Sequence, residues 1–186
     1  RYLLHRAECE PDRGFVGVEM AGSYYRLAKR RMCRRELTNT VLLHGEALYL
    51  LSVVLPRGFA STVHVYFPDP WPKARHQKRR LFDIETIDLV LDLLTDEGRL
   101  FFATDFLEYG EVVREILDSH PMVEVSEVPG PWPGGARTNY EAKYMREGRP
   151  ILRLEVGRTS AKDDALHPRG EASVLAAVAR SPEEES

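Results

Sequence analysis

The chain is poor in cysteine, in long apolar runs and in net charge, and each scarcity narrows what it can be. Its 186 residues include two cysteines, Cys9 and Cys33. They form no C-x-x-C pair and no His pair stands at metal-ligand spacing, so neither a disulfide scaffold nor a metal site is expected. Two reduced thiols suit a cytoplasmic protein. The longest apolar stretch, Ala47 to Leu55, is interrupted by Ser52 and falls far short of a bilayer span. No secretory signal opens the chain, so no membrane partner is expected. The first residue is Arg1 rather than Met, from which residues upstream are expected. The length suffices for one domain with its own core, and a hydrophobic content of 43% with 30% charged residues is that of an ordinary globular protein.

A net charge of −3 argues against a nucleic-acid binder until its distribution is seen. Residues Ser160 to Ser186 carry six acids and three bases, which leaves the body neutral. Within the body, Trp71 to Arg80 holds Lys73, Arg75, His76, Lys78, Arg79 and Arg80 and no acid, a local positive footprint.

Strand and helix patterns alternate without an internal repeat, which predicts an α/β sheet with helices on its faces. Strands are predicted at 15–20, 40–43, 61–67, 99–103, 123–128 and 151–156. Helices are predicted at 23–36, 46–55, 83–95, 107–119 and 139–146. A turn is expected at Glu97-Gly98, between the third of these helices and the strand after it. The stretch after Arg158 lacks periodicity and reads as a disordered acidic tail with one short Ala-rich helix at 173–179. The domain is therefore 1–158 and the tail 159–186.

Four constellations stand where strands end, and ligands of open α/β sheets bind outside the carboxyl ends of strands. Gly17-Val18-Glu19 closes the first strand; an acid there can accept from both ribose hydroxyls of an adenosine, whether of S-adenosylmethionine or NAD, or be a solvated acid. Gly45-Glu46-Ala47 follows the next strand; Glu46 can reach an adenine amino group or simply favour the first turn of its helix. The third is Phe67-Pro68-Asp69-Pro70-Trp71-Pro72-Lys73, continued by Ala74-Arg75-His76-Gln77-Lys78-Arg79-Arg80. Its prolines stiffen the loop and remove backbone donors, Asp69 is held at the mouth of the sheet, Trp71 offers a stacking face, and the bases suit phosphates. The fourth pairs Thr104-Asp105 with Thr138-Asn139-Tyr140-Glu141. Asp105 with Glu108, and Thr138 with Glu141, also fit capping boxes, and a helix start offers N–H groups to a ligand as well.

Taken together, Gly17-Val18-Glu19, the Pro68-Asp69-Pro70-Trp71 segment with its basic continuation, Thr104-Asp105, and Thr138 to Glu141 with Lys143 resemble the bacterial tRNA (guanine-N7-)-methyltransferases, in order over most of the chain. The resemblance implies a class I methyltransferase fold, a Rossmann-like open sheet with helices on both faces. It implies S-adenosylmethionine as cofactor, contacted by Glu19, Glu46 and Asp69, with Asp69 the active-site acid. Lys73, Asp105, Thr138, Asn139, Tyr140 and Glu141 would bind the substrate, a guanine in the tRNA variable loop, and Arg75, His76, Lys78, Arg79 and Arg80 the RNA around it. Two departures stand out. The family's Gly-rich cofactor loop, which lets backbone approach the ligand, and its first core strand are missing, from which exposed sheet edges and marginal stability are expected. Glu46 also stands where the family usually has Asp.

Guanine N7 has a free lone pair and needs no deprotonation before it attacks a sulfonium methyl, so the expected enzyme mainly aligns two reactants. Three other readings stand beside it. A non-catalytic tRNA-binding fragment would follow from the missing loop. An adenine amino-methyltransferase would use an Asp-Pro-Pro-aromatic loop, but here the prolines are not adjacent. An NAD-dependent dehydrogenase would suit Glu19 but lacks a Tyr-x-x-x-Lys pair. A monomer is expected, with a dimer as the alternative, and no metal.

Overall fold

A computed structural model describes residues 1–71, 75 and 80–159. Lys73, His76, Lys78, Arg79 and the acidic tail from Ser160, all named above, lie outside the described residues.

The elements alternate as the sequence pattern requires: α1 (Tyr2–Cys9), β1 (Phe15–Glu19), α2 (Gly22–Arg34), β2 (Thr40–His44), α3 (Ala47–Tyr49), β3 (Ala60–Tyr66), α4 (Ile84–Leu93), β4 (Leu94–Thr104), α5 (Leu107–Ser119), β5 (Val123–Glu127), α6 (Asn139–Arg146) and β6 (Leu152–Arg158). A wider π turn, Leu50–Val54, continues α3. The ladders are divided. β1 pairs with β2 in parallel, and β3, β4, β6 and β5 form a second sheet in that order. Within it β3 and β4 are parallel, while β6 is antiparallel to both its neighbours. Among the described residues no ladder joins β1 to β3, so each keeps an edge of unpaired backbone groups.

Most of the core lies on the larger sheet. Ile87 and Leu91 of α4 and Val113 and Leu117 of α5 pack with Phe102 and Leu154 of the central strands, all of them buried. Such strands, covered on both sides, read as apolar runs rather than alternations. The smaller sheet is thinly covered, and α2 buries none of its residues. Helix α1 touches both sheets. Leu3 lies on Gly17 of β1, where an added Cβ would come within 2.6 Å of it. Tyr2 sets its ring edge-on to His64 and Tyr66 of β3, at 5.0 and 5.8 Å. Asn39 ties the end of α1 down, its amide nitrogen 3.0 Å from the carbonyls of Ala7, Glu10 and Arg13.

Three local expectations need correction. Helix α4 stops at Leu93 and the predicted turn at Glu97-Gly98 is absorbed into β4. Leu94 already pairs with Ala60, and the next register pair is Thr62 with Arg99, so residues 95–98 bulge from the ladder. Gly98 permits the bulge, since a Cβ there would lie 2.8 Å from the Thr95 carbonyl oxygen. The capping box at Asp105 and Glu108 does not form: the N-cap of α5 is Phe106, with no side-chain cap, and the Thr104 hydroxyl takes the Phe106 N–H at 3.2 Å. At α6, Thr138 caps as expected, accepting the Glu141 N–H at 2.9 Å, but the Glu141 carboxylate reaches past it to the N–H of Arg137.

Burial in the aromatic cluster, and after it the charges of Arg137 and Arg6, push His64 down to about 4. An unfolded histidine titrates near ~6.5, so between these values the unfolded chain binds a proton that the folded chain refuses. Stability from this group is therefore full above that window, falls as pH drops through it, and levels off below about 4. Urea midpoints from pH 7 to pH 4 should fall less steeply in His64→Phe than in the parent; equal slopes would remove His64 from the acid response.

Candidate active site

Glu19 and Glu46 are brought together by the β1–β2 ladder. Glu19 pairs in register with His44, and Gly45 donates its N–H to the Glu19 carbonyl at 3.2 Å, so Glu46 starts α3 one residue further on. One Glu19 carboxylate oxygen accepts the Ala21 N–H at 2.8 Å, which curls the chain into α2. His44 supports that turn, with its ring nitrogen 3.1 Å from the Met20 carbonyl and its ring stacked on Tyr25. Glu46 caps α3 with both oxygens, accepting the N–H groups of Leu48 and Tyr49 at 3.0 and 2.8 Å. The capping reading of Glu46 is thus realised. A carboxylate has about four acceptor positions, so capping leaves it able to accept from a ligand.

The Pro-Asp-Pro-Trp turn begins where β3 ends. Phe67 donates its N–H to the Ala103 carbonyl at 2.7 Å, which carries the β3–β4 ladder one residue beyond Tyr66. Phe67 and Trp71 bracket the turn with positive φ values of 53° and 40°. Non-glycine residues adopt this region at a cost of roughly 1–3 kcal/mol each, and only where their surroundings over-determine it. Asp69, at the crest, is exposed. On one side the Phe67 ring packs against Tyr144 and Tyr140 of α6, at centroid distances of 5.6 and 6.5 Å. On the other, Arg80 turns back and donates from Nε to the Pro70 carbonyl at 2.9 Å.

The third and fourth constellations therefore meet. Tyr144 lies under the Arg149 guanidinium at 4.6 Å, and Arg149 stands 3.7 Å from Asp105 and 2.7 Å from Glu147. Burial, and then the Asp105 charge, holds the Tyr144 phenol above its ordinary value. Asn139 and Tyr140 are exposed at the start of α6, and Asn139 accepts from Arg1 at 2.9 Å. Glu141 departs from its expectation as a substrate contact. It has no exposed surface, and its carboxylate accepts the Arg153 Nε at 2.8 Å as well as the Arg137 N–H. Its contribution is to fix the helix start that presents Thr138, Asn139 and Tyr140. Arg75 is exposed, as an RNA contact requires, whereas Arg80 is half-buried against the turn.

Sequence reasoning missed Arg137, Tyr144 and Arg149. Arg137 lies over the Trp132 ring at 4.2 Å and the Phe101 ring at 4.7 Å and hydrogen-bonds the Tyr66 hydroxyl. Tyr140 and Tyr144 stand four apart on one helix face, a signal that was present; nothing local to Arg137 or Arg149 marks either.

A family model described as "Putative methyltransferase" matches residues 1–154. The tRNA (guanine-N(7)-)-methyltransferase of Nitrosococcus oceani is 31% identical over 157 residues, covering 84% of this chain and 66% of its own length. That of Mycobacterium leprae is 32% identical over 157 residues, covering 81% and 67%. The chain thus spans about two thirds of the length of these relatives. Among solved structures, the O-methyltransferase TomG of Streptomyces achromogenes, in complex with SAM, superposes with a TM-score of 0.54 at 15% identity, covering 79% of this chain and 63% of that one. At that identity the likeness carries the fold alone, and the fold is that of class I methyltransferases.

Proposed function

We propose, from the premise that this chain belongs to the tRNA (guanine-N7-)-methyltransferase family, that it transfers a methyl group from S-adenosylmethionine to N7 of a guanine in the variable loop of tRNA. The observation that carries the reading is the meeting of the Pro68-Asp69-Pro70 turn with α6 and Asp105 at the ends of β3 and β4. Residues 1–158 would belong to the methyltransferase domain of a cytoplasmic protein that acts as a monomer, with a dimer as the alternative.

The ends of β1 and β2 fit an adenosine. Two carboxylates at the ends of adjoining strands can accept from ribose hydroxyls and from an adenine amino group, with Met20, 68% exposed, as apolar surface beside Glu19. Glu19 would hold the ribose and Glu46 the adenine. Bound there, S-adenosylmethionine supplies an electrophilic methyl group on a sulfonium. This chain's residues have then to orient the base and to accommodate the positive charge that N7 alkylation places on the purine. Asp69, exposed at the crest of a stiff turn, can accept from the Watson–Crick edge of the guanine or oppose that charge. Tyr140, 60% exposed and backed by Phe67 and Tyr144, is a face on which a base drawn out of its stack can rest. Lys73, Asp105, Thr138 and Asn139 complete the substrate contacts, and Arg75, His76, Lys78 and Arg79 meet phosphates.

The test is methyl transfer from labelled S-adenosylmethionine to unmodified tRNA, followed by nuclease digestion and identification of the labelled nucleoside. Label in 7-methylguanosine from the variable loop is the expected result. Label on an adenine amino group would replace this reading with the adenine enzyme, and tRNA binding without label would replace it with a binding module.

A further inference from the structure

Arg80 ends the basic run, and by charge alone it belongs with the phosphate contacts. Its geometry says otherwise. The side chain is half-buried, and its Nε donates to the Pro70 carbonyl at 2.9 Å. Its guanidinium carbon lies 4.9 Å from the centroid of the Tyr109 ring, and Tyr109 has no exposed surface. The Tyr109 hydroxyl in turn accepts the Phe82 N–H at 3.2 Å, two residues beyond Arg80. The guanidinium is thus pinned on a ring of α5 that also anchors the backbone returning from the basic run.

What it grips matters. Pro70 has no N–H, so its carbonyl is the backbone handle it can offer. The next residue, Trp71, sits at φ 40°, outside the conformations a tryptophan prefers. The other end of the turn, Phe67 at φ 53°, is held by the Ala103 carbonyl and by the α6 rings. Arg80 supplies the matching restraint at the far end.

We propose that Arg80 is a positioning residue, which holds the Pro68-Asp69-Pro70 turn in shape by its bond to Pro70 and its seat on Tyr109, and does not act as a phosphate contact. The proposal rests on the reading of Asp69 as the active-site acid. Arginine suits the task because a planar guanidinium can lie on a ring while its edge donates in plane; a lysine ammonium, a point charge, cannot do both. A phosphate, by contrast, accepts a lysine as a point charge. The Arg80→Lys substitution therefore separates the two roles.

The experiment compares the parent with R80K and with R75A, whose arginine is exposed. Three quantities are read: acrylamide quenching of tryptophan fluorescence, tRNA affinity against salt concentration, and kcat. The chain has two tryptophans, and Trp132 is 2% exposed, so quenchable emission reports Trp71. R80K should make Trp71 more quenchable and leave tRNA affinity and its salt slope at parent values. It should lower kcat by about tenfold to a hundredfold, as expected for a displaced reacting group. R75A should lower the salt slope by about 1 and leave quenching unchanged. Parent-like quenching in R80K would overturn the proposal. If R80K does not fold, R80Q reads the same quantities, and a slope lowered by about 1 with parent-like quenching would assign Arg80 to a phosphate instead. Quenching and salt slope need no turnover, so they decide the role of Arg80 even if no methyl transfer is found, which would count against the enzymatic reading and not against the strut.

Discussion

Replacing Asp69 with alanine is expected to lower methyl transfer by about 10²–10³-fold or more, the scale for loss of one preorganised group facing charge that develops in the transition state. Affinity for tRNA should stay within about twofold, because phosphate contacts supply most of it. The turn itself should survive, since Asp69 is exposed and the left-handed residues Phe67 and Trp71, not Asp69, define its shape. Single-turnover rates and equilibrium binding of the variant are the measurements. Weakened binding with parent-like turnover at saturating tRNA would sink the assignment. Asp69→Asn refines it: asparagine keeps an acceptor for the guanine edge and removes the charge. A loss as large as that of alanine would identify the charge as what matters, and a partial loss would identify the hydrogen bond.

The second large effect is on stability. Glu141 and Arg153 are an ion pair with side-chain exposures of 0% and 5%. Glu141→Ala leaves a guanidinium enclosed in a central strand without its counter-charge, and a loss of about 3–5 kcal/mol is expected. It also leaves the Arg137 N–H without its acceptor. The double variant Glu141→Leu with Arg153→Met removes the stranded charge and should recover much of that loss. Urea unfolding at unchanged m-value reads both numbers. A single variant within about 1 kcal/mol of the parent would show that Arg153 finds another partner or reaches water.

The contrast between these two acids shows what a sequence makes legible. Asp69 stands among residues that each constrain it, three prolines, a tryptophan and a run of bases, so its exposure at a stiff turn could be read from its neighbours. Glu141 stands third in a short polar helix and looks like its surface. Its fate depends on Arg153, and Arg153 is buried because β6 lies between β4 and β5. An arginine between Leu152 and Leu154 was a usable clue, since a charge in a covered strand demands a partner, but naming the partner required the topology. The same distinction runs through the fold. Helices α5 and α6 were legible to the residue, because apolar periodicity and turn residues bound them on both sides. The junction of α4 and β4 was not, because Leu94 continues the helix's apolar face while its backbone already pairs with Ala60. The Asp105 cap does not form, and the carboxylate faces Arg149, 44 positions away in sequence, a neighbour that local pattern does not reveal.

One consequence of the divided ladder concerns alignment. The carboxylates assigned to the methyl donor stand on one sheet, and the acid assigned to the base stands at the end of a strand in the other. In-line transfer tolerates little error in the distance between two such groups, and here no backbone ladder among the described residues sets that distance. Packed side chains bridge the two sheets instead: Leu3 of α1 rests on β1 and the neighbouring Tyr2 on β3, and Leu51 of the π turn after β2 packs against the core of the larger sheet. The two sheets are in this sense the jaws of a clamp whose spacers are side chains of α1 and of the turn after β2, rather than a backbone ladder between the strands that carry the chemistry.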